Sequence, residues 1–344
     1  MHNQTSVESV RGNAHLRRLI GKFLGAYGLL LMLAALIVVF ALVNPDFLTF
    51  RNFKALIEQN SVLAIVAVGM TFALISRNID LAPGSIIVLS SVVLGLVFTS
   101  TGNIWLSIVC GMLAAIALDL FNGVLIGKAG IDPLIVTLAA WIWVRGLAIS
   151  LTKADSIVIR HPVIDFMNSA QFLGISPPIV LIVIAYAFGW FMLNRTRLGR
   201  YTYALGGDER AAIQAGIDTV RYKIMMFGML GLFAAVGMLV TVSRLGAAAP
   251  DATYGLELDA IVSVIIGGNP FTGGEGNLRR TLSGVLFVAV LNNGLSTLGM
   301  RDAYFYAYKG LTILVALFFD VISRRLLRGT EPMVASLPRA AGLS

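Results

Sequence analysis

The chain alternates long apolar runs with short polar segments, and ten of these runs are candidates for membrane-spanning helices. A helix that crosses the hydrocarbon core of a bilayer needs about 20 predominantly apolar residues. Two runs are short for a full crossing, and we expect half-helices or tilted pieces at Ser61–Ser76 and Leu256–Gly268. The other eight runs are Phe23–Val43, Ile79–Thr99, Ile104–Gly127, Leu134–Leu151, Phe172–Leu193, Ile224–Ser243, Leu282–Leu298 and Tyr304–Ser323. The pattern therefore predicts an all-α membrane protein with about ten transmembrane helices.

Composition supports the same class. Of the 344 residues, 57% are hydrophobic and 13% are charged, whereas about a quarter of the residues in soluble domains are charged. The 35 glycines follow no triplet period, and Cys110 has no second cysteine in the chain to pair with. A soluble globular chain, a collagen and a disulfide-stabilised scaffold are therefore all excluded.

The net charge of +8 is unevenly distributed among the predicted loops. When ten spans are threaded from a cytoplasmic N-terminus, most of the 26 Lys and Arg residues fall on the inner side, as the positive-inside rule requires. The excess is therefore a topology signal, and a bilayer rather than nucleic acid is the expected partner. We expect a cytoplasmic N-terminal segment at 1–22, a transmembrane domain at 23–328 that contains a cytoplasmic loop at 194–223, and a cytoplasmic tail at 329–344.

The predicted spans divide into two halves that cross the membrane in opposite senses. Asp80-Leu81-Ala82, followed by Ser85, has a weak counterpart in Asp259-Ala260, followed by Ser263; Asn122-Gly123 has one in Asn292-Asn293-Gly294. Interrupted segments at corresponding positions of two inverted halves point to the central pathway of a transporter. The sequence thus predicts two inverted halves, with spans three and eight interrupted.

Patterns typical of catalysis or cofactor binding are missing from the sequence. His2, His15 and His161 have no metal-ligand spacing, and the run Gly267–Gly276 lacks the Lys-Ser/Thr ending of a phosphate loop. We therefore expect no catalytic residue, no metal site and no cofactor bound by this chain. The glycine run is interpreted as a tight cytoplasmic reversal that needs positive φ angles.

Several polar residues fall inside or beside the apolar runs, where a central charge costs about 2.5–3.5 kcal/mol. Such residues either line a wet pathway or hold helices together by hydrogen bonds, and both interpretations stay open. Asp119 and Lys309 belong to this group, and Gly123-x-x-x-Gly127 is interpreted as a close helix-packing motif. The residues predicted to line the pathway are Asp80, Ser85, Asn122, Arg145, Asp259, Asn292 and Asn293.

The loop at 194–223 contains a short helix signal between two basic patches. Asp208 and Glu209 follow Gly207 and mark the start, and Gly216 marks the end, which predicts about two turns with a small-residue face. From the chemistry alone, this helix is either a surface connector held by anionic lipid headgroups or a docking helix for a cytosolic motor.

Four spaced motifs resemble those of a known family. They are Asn78–Ser85, Asn122–Leu138 with Val144-Arg145-Gly146, Gly199–Ile217, and Leu256–Ile261 with Leu291–Leu295. The chain from about 24 to 328 resembles the permease subunits of bacterial ribose, xylose, arabinose and galactose-type ATP-binding cassette (ABC) importers. Two positions depart from the family pattern, since Asn78 replaces a more usual Gly and Pro83 a more usual Val.

The resemblance implies a cobalamin-importer-like permease in the bacterial inner membrane, with both termini cytoplasmic. It implies three kinds of partner: a second permease that is a copy or a relative, cytosolic ATPase subunits that bind ATP and Mg, and a periplasmic sugar-binding protein. It also moves the short helix towards the docking interpretation. The coupling-helix residues carried over are Gly206, Gly207, Asp208, Glu209, Arg210, Ala211, Ala212, Gly216 and Ile217.

The expected function is therefore ATP-driven import of a monosaccharide, pentose or hexose, or of a polyol, by a chain that is not itself an enzyme. One alternative is a self-sufficient secondary transporter in which Asp119 and Asp259 titrate and couple the solute to protons. An intramembrane enzyme is disfavoured because metal and nucleophile patterns are missing.

Overall fold

The computed structural model describes residues 28–169, 175–299, 307–315 and 318. Its helices are α1 (Gly28–Val43), α2 (Phe50–Gln59), α3 (Ser61–Ile75), α4 (Pro83–Thr101), α5 (Ile104–Gly127), α6 (Pro133–Thr152), α7 (Pro162–Ser169), α8 (Pro177–Arg195), α9 (Arg197–Gly207), α10 (Glu209–Gln214), α11 (Thr219–Leu245), α12 (Leu256–Ile266), α13 (Leu278–Thr297) and α14 (307–315). A 3-10 turn, Pro45–Leu48, separates α1 from α2, and two short strands, β1 (Ile157–Val158) and β2 (Ala247–Ala248), pair antiparallel.

The predicted all-α membrane class is confirmed. Five helices in the described part of the chain are long and apolar enough to cross a membrane, namely α4, α5, α6, α8 and α11. Helices α2 and α3 would make a sixth span, bent by 48°. The expectation that the run at Leu256–Gly268 is short is confirmed, since α12 has only 11 residues. The predicted segments at 1–22 and 329–344, and half of the tenth run, lie outside the described residues.

Several predicted boundaries need correction: α8 begins at Pro177 rather than Phe172, and α13 at Leu278 rather than Leu282. The prediction that span three is interrupted is wrong, because α4 runs unbroken over 19 residues. Helix α4 begins at Pro83 and not at Ile79, because proline has no N–H to donate and favours the first helical position. Helix α11 begins at Thr219, five residues before the predicted run, because Asp218 caps the backbone N–H of Arg221. The segment at 194–223, predicted to be a loop with one short helix, also contains α9, whose N-cap Thr196 accepts a bond from Gly199 N–H.

The close approach of α5 and α11 depends on glycine. A Cβ added at Gly123 would lie 2.8 Å from Phe227 Cβ, and one at Gly127 would lie 3.0 Å from the carbonyl oxygen of Val220. From the α11 side, a Cβ at Gly231 would lie 2.9 Å from Ile116 Cα. The interpretation of Gly123-x-x-x-Gly127 as a packing motif is therefore confirmed.

Helices α4 and α12 meet at their N-terminal ends. Thr253 Oγ1, just before α12, donates a hydrogen bond to the carbonyl oxygen of Gly84 at the start of α4, at 2.9 Å. A Cβ at Gly84 would lie 2.2 Å from Glu257 Oε2 and 3.0 Å from the carbonyl oxygen of Thr253, so glycine leaves the room for this close approach. Non-helical backbone precedes each of these helices, at 78–82 and 249–255. We call this meeting point the helix junction.

Candidate functional site

Helix α10, within the predicted coupling segment, is an exposed six-residue helix. Asp208 Oδ1 accepts hydrogen bonds from the N–H groups of Arg210 at 2.8 Å and Ala211 at 3.1 Å, and Gly216 turns the chain away with φ +79°. The predicted start and end are therefore confirmed. Ala212 is buried while Ile213 is 55% exposed, so α10 presents an apolar side chain outward.

A second feature connects this segment to the rest of the bundle. Gly206, at the end of α9, packs directly against the last residue of α3: a Cβ there would lie 1.7 Å from the carbonyl oxygen of Ile75. The same oxygen accepts a 2.8 Å bond from Gly274 N–H, and Tyr203 O–H donates to the carbonyl oxygen of Gly276 at 2.8 Å. Burial raises the pKa of Tyr203, so its phenol stays a neutral donor. We call this contact the Gly206 joint.

The glycine-rich run supplies the third side of the Gly206 joint. Gly268, Gly273, Gly274 and Gly276 all have positive φ, which confirms the interpretation of a tight reversal. The buried Asn269 holds this turn, because its Oδ1 accepts from Asn277 N–H at 2.8 Å and its Nδ2 donates to the carbonyl oxygen of Val264 at 3.0 Å. Sequence reasoning missed Asn269.

Two predicted pathway residues lie in a fully buried acidic cluster. Asp80 Oδ1 accepts the N–H of Ala82 at 2.8 Å, and Asp119 Oδ1 accepts Asn122 Nδ2 at 3.4 Å. Asp80 and Asp119 are close enough to interact electrostatically. Within the described residues, Oδ2 of each carboxylate has no hydrogen-bond partner. The structure therefore places Asp80 and Asn122 together, between the start of α4 and the middle of α5.

Arg145 and Ser85 lie at the helix junction. Arg145 Nε donates to Ser85 Oγ and its Nη1 to the carbonyl oxygen of Ala252, both at 3.4 Å. Trp141 Nε1 donates to Glu257 Oε1 at 2.9 Å, which brings a buried carboxylate beside the arginine. Sequence reasoning missed Glu257 and Trp141; the available signal was a second acidic residue in the same apolar run as Asp259.

The remaining predicted residues lie on α12 and α13. Asn292 Nδ2 donates to Asp259 Oδ2 at 3.4 Å and to Asn60 Oδ1 at 3.3 Å, and Lys309 Nζ forms a 2.6 Å ion pair with Asp259 Oδ2. Asn293 instead exchanges two hydrogen bonds with Asn52, at 3.0 and 3.2 Å. Asn293 therefore joins α13 to α2, which favours the helix-bonding interpretation for this residue.

A cavity of about 280 Å³ opens beside this network. Asp259 and Asn292 line it, whereas the other five predicted pathway residues do not. Its remaining polar wall comes mainly from Gln59, Asn60, Arg244 and Tyr254. Among the described residues, no group of three or more His, Cys, Asp and Glu could hold a metal ion. The seven predicted residues therefore occupy four places: the acidic cluster, the helix junction, the cavity and the α2–α13 contact.

Comparisons with known proteins show which family the chain belongs to. A family model described as branched-chain amino acid transport system / permease component matches residues 52–317. The ribose import permease protein RbsC of Bacillus subtilis is 36% identical over 303 residues, which cover 88% of this chain and 92% of the relative. The corresponding protein of Escherichia coli K12 is 33% identical over 295 residues, covering 85% and 92%.

A third relative, the L-arabinose ABC transporter permease protein AraH of Azospirillum brasilense, is 34% identical over 297 residues, covering 86% of this chain and 88% of the relative. No solved structure matches the chain. The resemblance to sugar importer permeases drawn from the motifs is confirmed. The chain therefore belongs to the permease-component family whose model it matches over residues 52–317.

Proposed function

We propose that this chain is the membrane-spanning permease subunit of an ABC importer that carries a monosaccharide across the bacterial inner membrane. The observation that carries this proposal is end-to-end similarity, above 30% identity, to ribose and arabinose import permeases. The apolar helices α4, α5, α6, α8 and α11 fit a multi-pass membrane protein. A self-sufficient secondary transporter is not favoured by these relatives.

The partners follow from this assignment. A cytosolic ATPase would bind ATP and Mg, a second permease would complete the membrane unit, and a periplasmic binding protein would deliver the sugar. Ten spans, a cobalamin-importer-like arrangement and cytoplasmic termini belong to the same proposal. The 11-residue α12, which is too short for a full crossing, and the non-helical segment 78–82 before α4 support it.

Helix α10 is the proposed docking element for the ATPase. It is short, capped and exposed, and the Gly206 joint fastens its neighbour α9 to the end of α3 and to the glycine-rich turn. The end of α3 leads through 76–82 into α4, and the glycine-rich turn follows α12. A push on α10 would therefore reach both α4 and α12, whose N-terminal ends meet at the helix junction.

Opposed tilting of α4 and α12 would open the pathway alternately to each side of the membrane. In this mechanism Asp259 and Asn292 lie at the open cavity, and Ser85 and Arg145 lie at the helix junction. Asp80 and Asn122 lie deeper, in the acidic cluster. The chain performs no covalent chemistry.

Photocrosslinking tests the docking role. Replacement of Cys110 by Ser removes the sole cysteine, and Ile213→Cys then places a thiol for a photoactivatable maleimide on the exposed face of α10. In membranes that contain the assembled transporter, light should crosslink this position to the ATPase. Ser100→Cys, exposed at the far end of α4, is the matched control and should give no such product. Equal yields from both positions would contradict the docking role.

A transport assay tests the same segment. Replacing Asp208, Glu209 and Arg210 together by alanine removes the α10 cap and the 2.6 Å ion pair between Glu209 and Lys223. ATP-driven uptake should be lost although the chain still inserts into the membrane. Full transport by this variant would exclude α10 as the coupling element.

A further inference from the structure

The cavity beside α12 and α13 is open and polar, and the short helix α12 forms part of its wall. Its walls come from the start of α3, the end of α11 and the start of α12. Asn292 of α13 also lines it. We propose that this cavity is a monosaccharide-binding subsite of the permease, in which Asn292 and Tyr254 contact the sugar. The proposal rests on the function proposed above and assigns that function a specific place in the chain.

Size and charge favour a small neutral solute. The volume of about 280 Å³ lies just under the lower limit of ~300 Å³ for pockets that hold drug-sized ligands. The cavity's carboxylate, Asp259, is neutralised by Lys309 at 2.6 Å. Its guanidinium, Arg244, donates to the carbonyl oxygen of Gln59 at 2.9 Å and interacts with the nearby Glu58. Each of the two charged groups in the cavity wall therefore has an opposite charge close by, which favours a solute without charge.

Asn292 provides unused hydrogen-bonding capacity. Its amide nitrogen already donates to Asn60 and Asp259, but its Oδ1 is buried and has no partner among the described residues. A buried amide oxygen without a partner is unfavourable until a donor reaches it. The Asn292 side chain lines the cavity, so a small rotation would bring this oxygen to a solute there. A hydroxyl group could then donate to it and still accept a bond from a neighbour, which suits a polyhydroxylated ligand.

Tyr254 gives the cavity an aromatic wall. Its side chain is 63% exposed, so its ring is available to stack against the C–H face of a sugar. Arg145 lies over the same ring, with its Cζ 5.5 Å from the ring centroid, and donates from Nε to Ser85 at the helix junction. A sugar on Tyr254 is therefore one side chain away from the place where α4 and α12 meet. The contacts from Tyr254 through Arg145 to Ser85 therefore connect the subsite to the helix junction.

Uptake kinetics of the complete transporter test the proposal. The permease, ATPase and binding protein are reconstituted in vesicles, with D-ribose and L-arabinose as probes. Tyr254→Ala and Asn292→Ala should each lower the ATP-driven uptake rate of the accepted sugar by about three- to tenfold, the factor expected for one lost contact. ATP hydrolysis should be retained. Phe191→Ala removes another half-exposed aromatic ring, on α8, and should transport as wild type does. Unchanged uptake in both test variants overturns the subsite.

Thiol protection gives an independent result. In a Cys110→Ser background, Gln59→Cys places a thiol in the cavity wall, and D-ribose should slow its reaction with a charged thiol reagent while L-leucine does not. Equal effects of the two solutes, or no effect of D-ribose or L-arabinose, overturn the subsite. If the wild-type complex takes up neither sugar with ATP, the proposed function itself fails, so the two failures are distinguishable.

Discussion

Replacing Gly206 by alanine is the sharpest test of how α10 is connected to the membrane helices. The new Cβ would lie 1.7 Å from the carbonyl oxygen of Ile75, and a relaxed contact begins at 3.4 Å. The end of α9 must therefore move by about 1.7 Å relative to α3. Both sides of the contact are backbone, so no side-chain rotation can relieve it.

The energetic cost follows from what that movement breaks. Gly274 N–H donates to the same Ile75 oxygen at 2.8 Å, and displacing α9 by this distance disrupts the bond. An unmet buried backbone group costs about 1–3 kcal/mol, and overpacking adds about 1–3 kcal/mol. The variant should therefore lose about 2–6 kcal/mol. The shift per kcal/mol falls with chain length, from about 2–4 °C in domains of 150–250 residues. The lower figure should therefore lower the unfolding temperature of this 344-residue chain by about 2–4 °C.

The assay is thermal unfolding of the purified chain in detergent, followed by tryptophan fluorescence. Gly207→Ala is the matched control, because a Cβ at the neighbouring glycine would have no atom within 4 Å. We expect a lower unfolding temperature for Gly206→Ala and an unchanged one for Gly207→Ala. If both variants unfold at the wild-type temperature, α9 does not pack against α3 as described, and the proposed route from α10 to α4 and α12 is wrong.

Three further predictions follow from the described contacts. Asp208→Ala removes the α10 cap and should lower the free energy of unfolding by about 1 kcal/mol and slow ATP-driven uptake. Asp208→Asn can still cap the helix and should retain most of the uptake. Lys309→Met leaves Asp259 without its cation and should lower the free energy of unfolding by about 1–3 kcal/mol; Asp259→Leu added to it should recover part of the loss in the same denaturation measurement. Gly231→Ala should cost about 1–3 kcal/mol against the α5 backbone, but Gly146→Ala, with open space around it, should not.

Local signals in the sequence predicted the helices well. The run Ile104–Gly127 became α5 without change, because Asn103 caps it and its residues are apolar throughout. The start and end of α10 were readable because Asp208 is a strong N-cap and Gly216 accepts a positive φ. Pro83 also carried the signal for the true start of α4, which a hydropathy boundary alone overlooks.

Long-range partners were not predictable from one sequence. The pairing of Asp259 with Lys309 joins residues 50 positions apart, and that of Asn293 with Asn52 joins residues 241 apart. Hydropathy identifies each of these residues as expensive to bury but gives no partner. The amphipathic helix α9 was missed for a different reason: its two arginines and two half-buried tyrosines resemble a polar loop until Gly206 is seen packed against α3.

ATP-driven sugar uptake by reconstituted vesicles distinguishes an ABC importer permease from a self-sufficient secondary transporter. The chain is inserted either alone or together with its ATPase and binding protein, and labelled D-ribose and L-arabinose are offered with ATP or with a proton gradient. We expect uptake of at least one sugar only when the partners and ATP are all present, and none from the proton gradient. Uptake by the chain alone, driven by the proton gradient, would contradict this expectation.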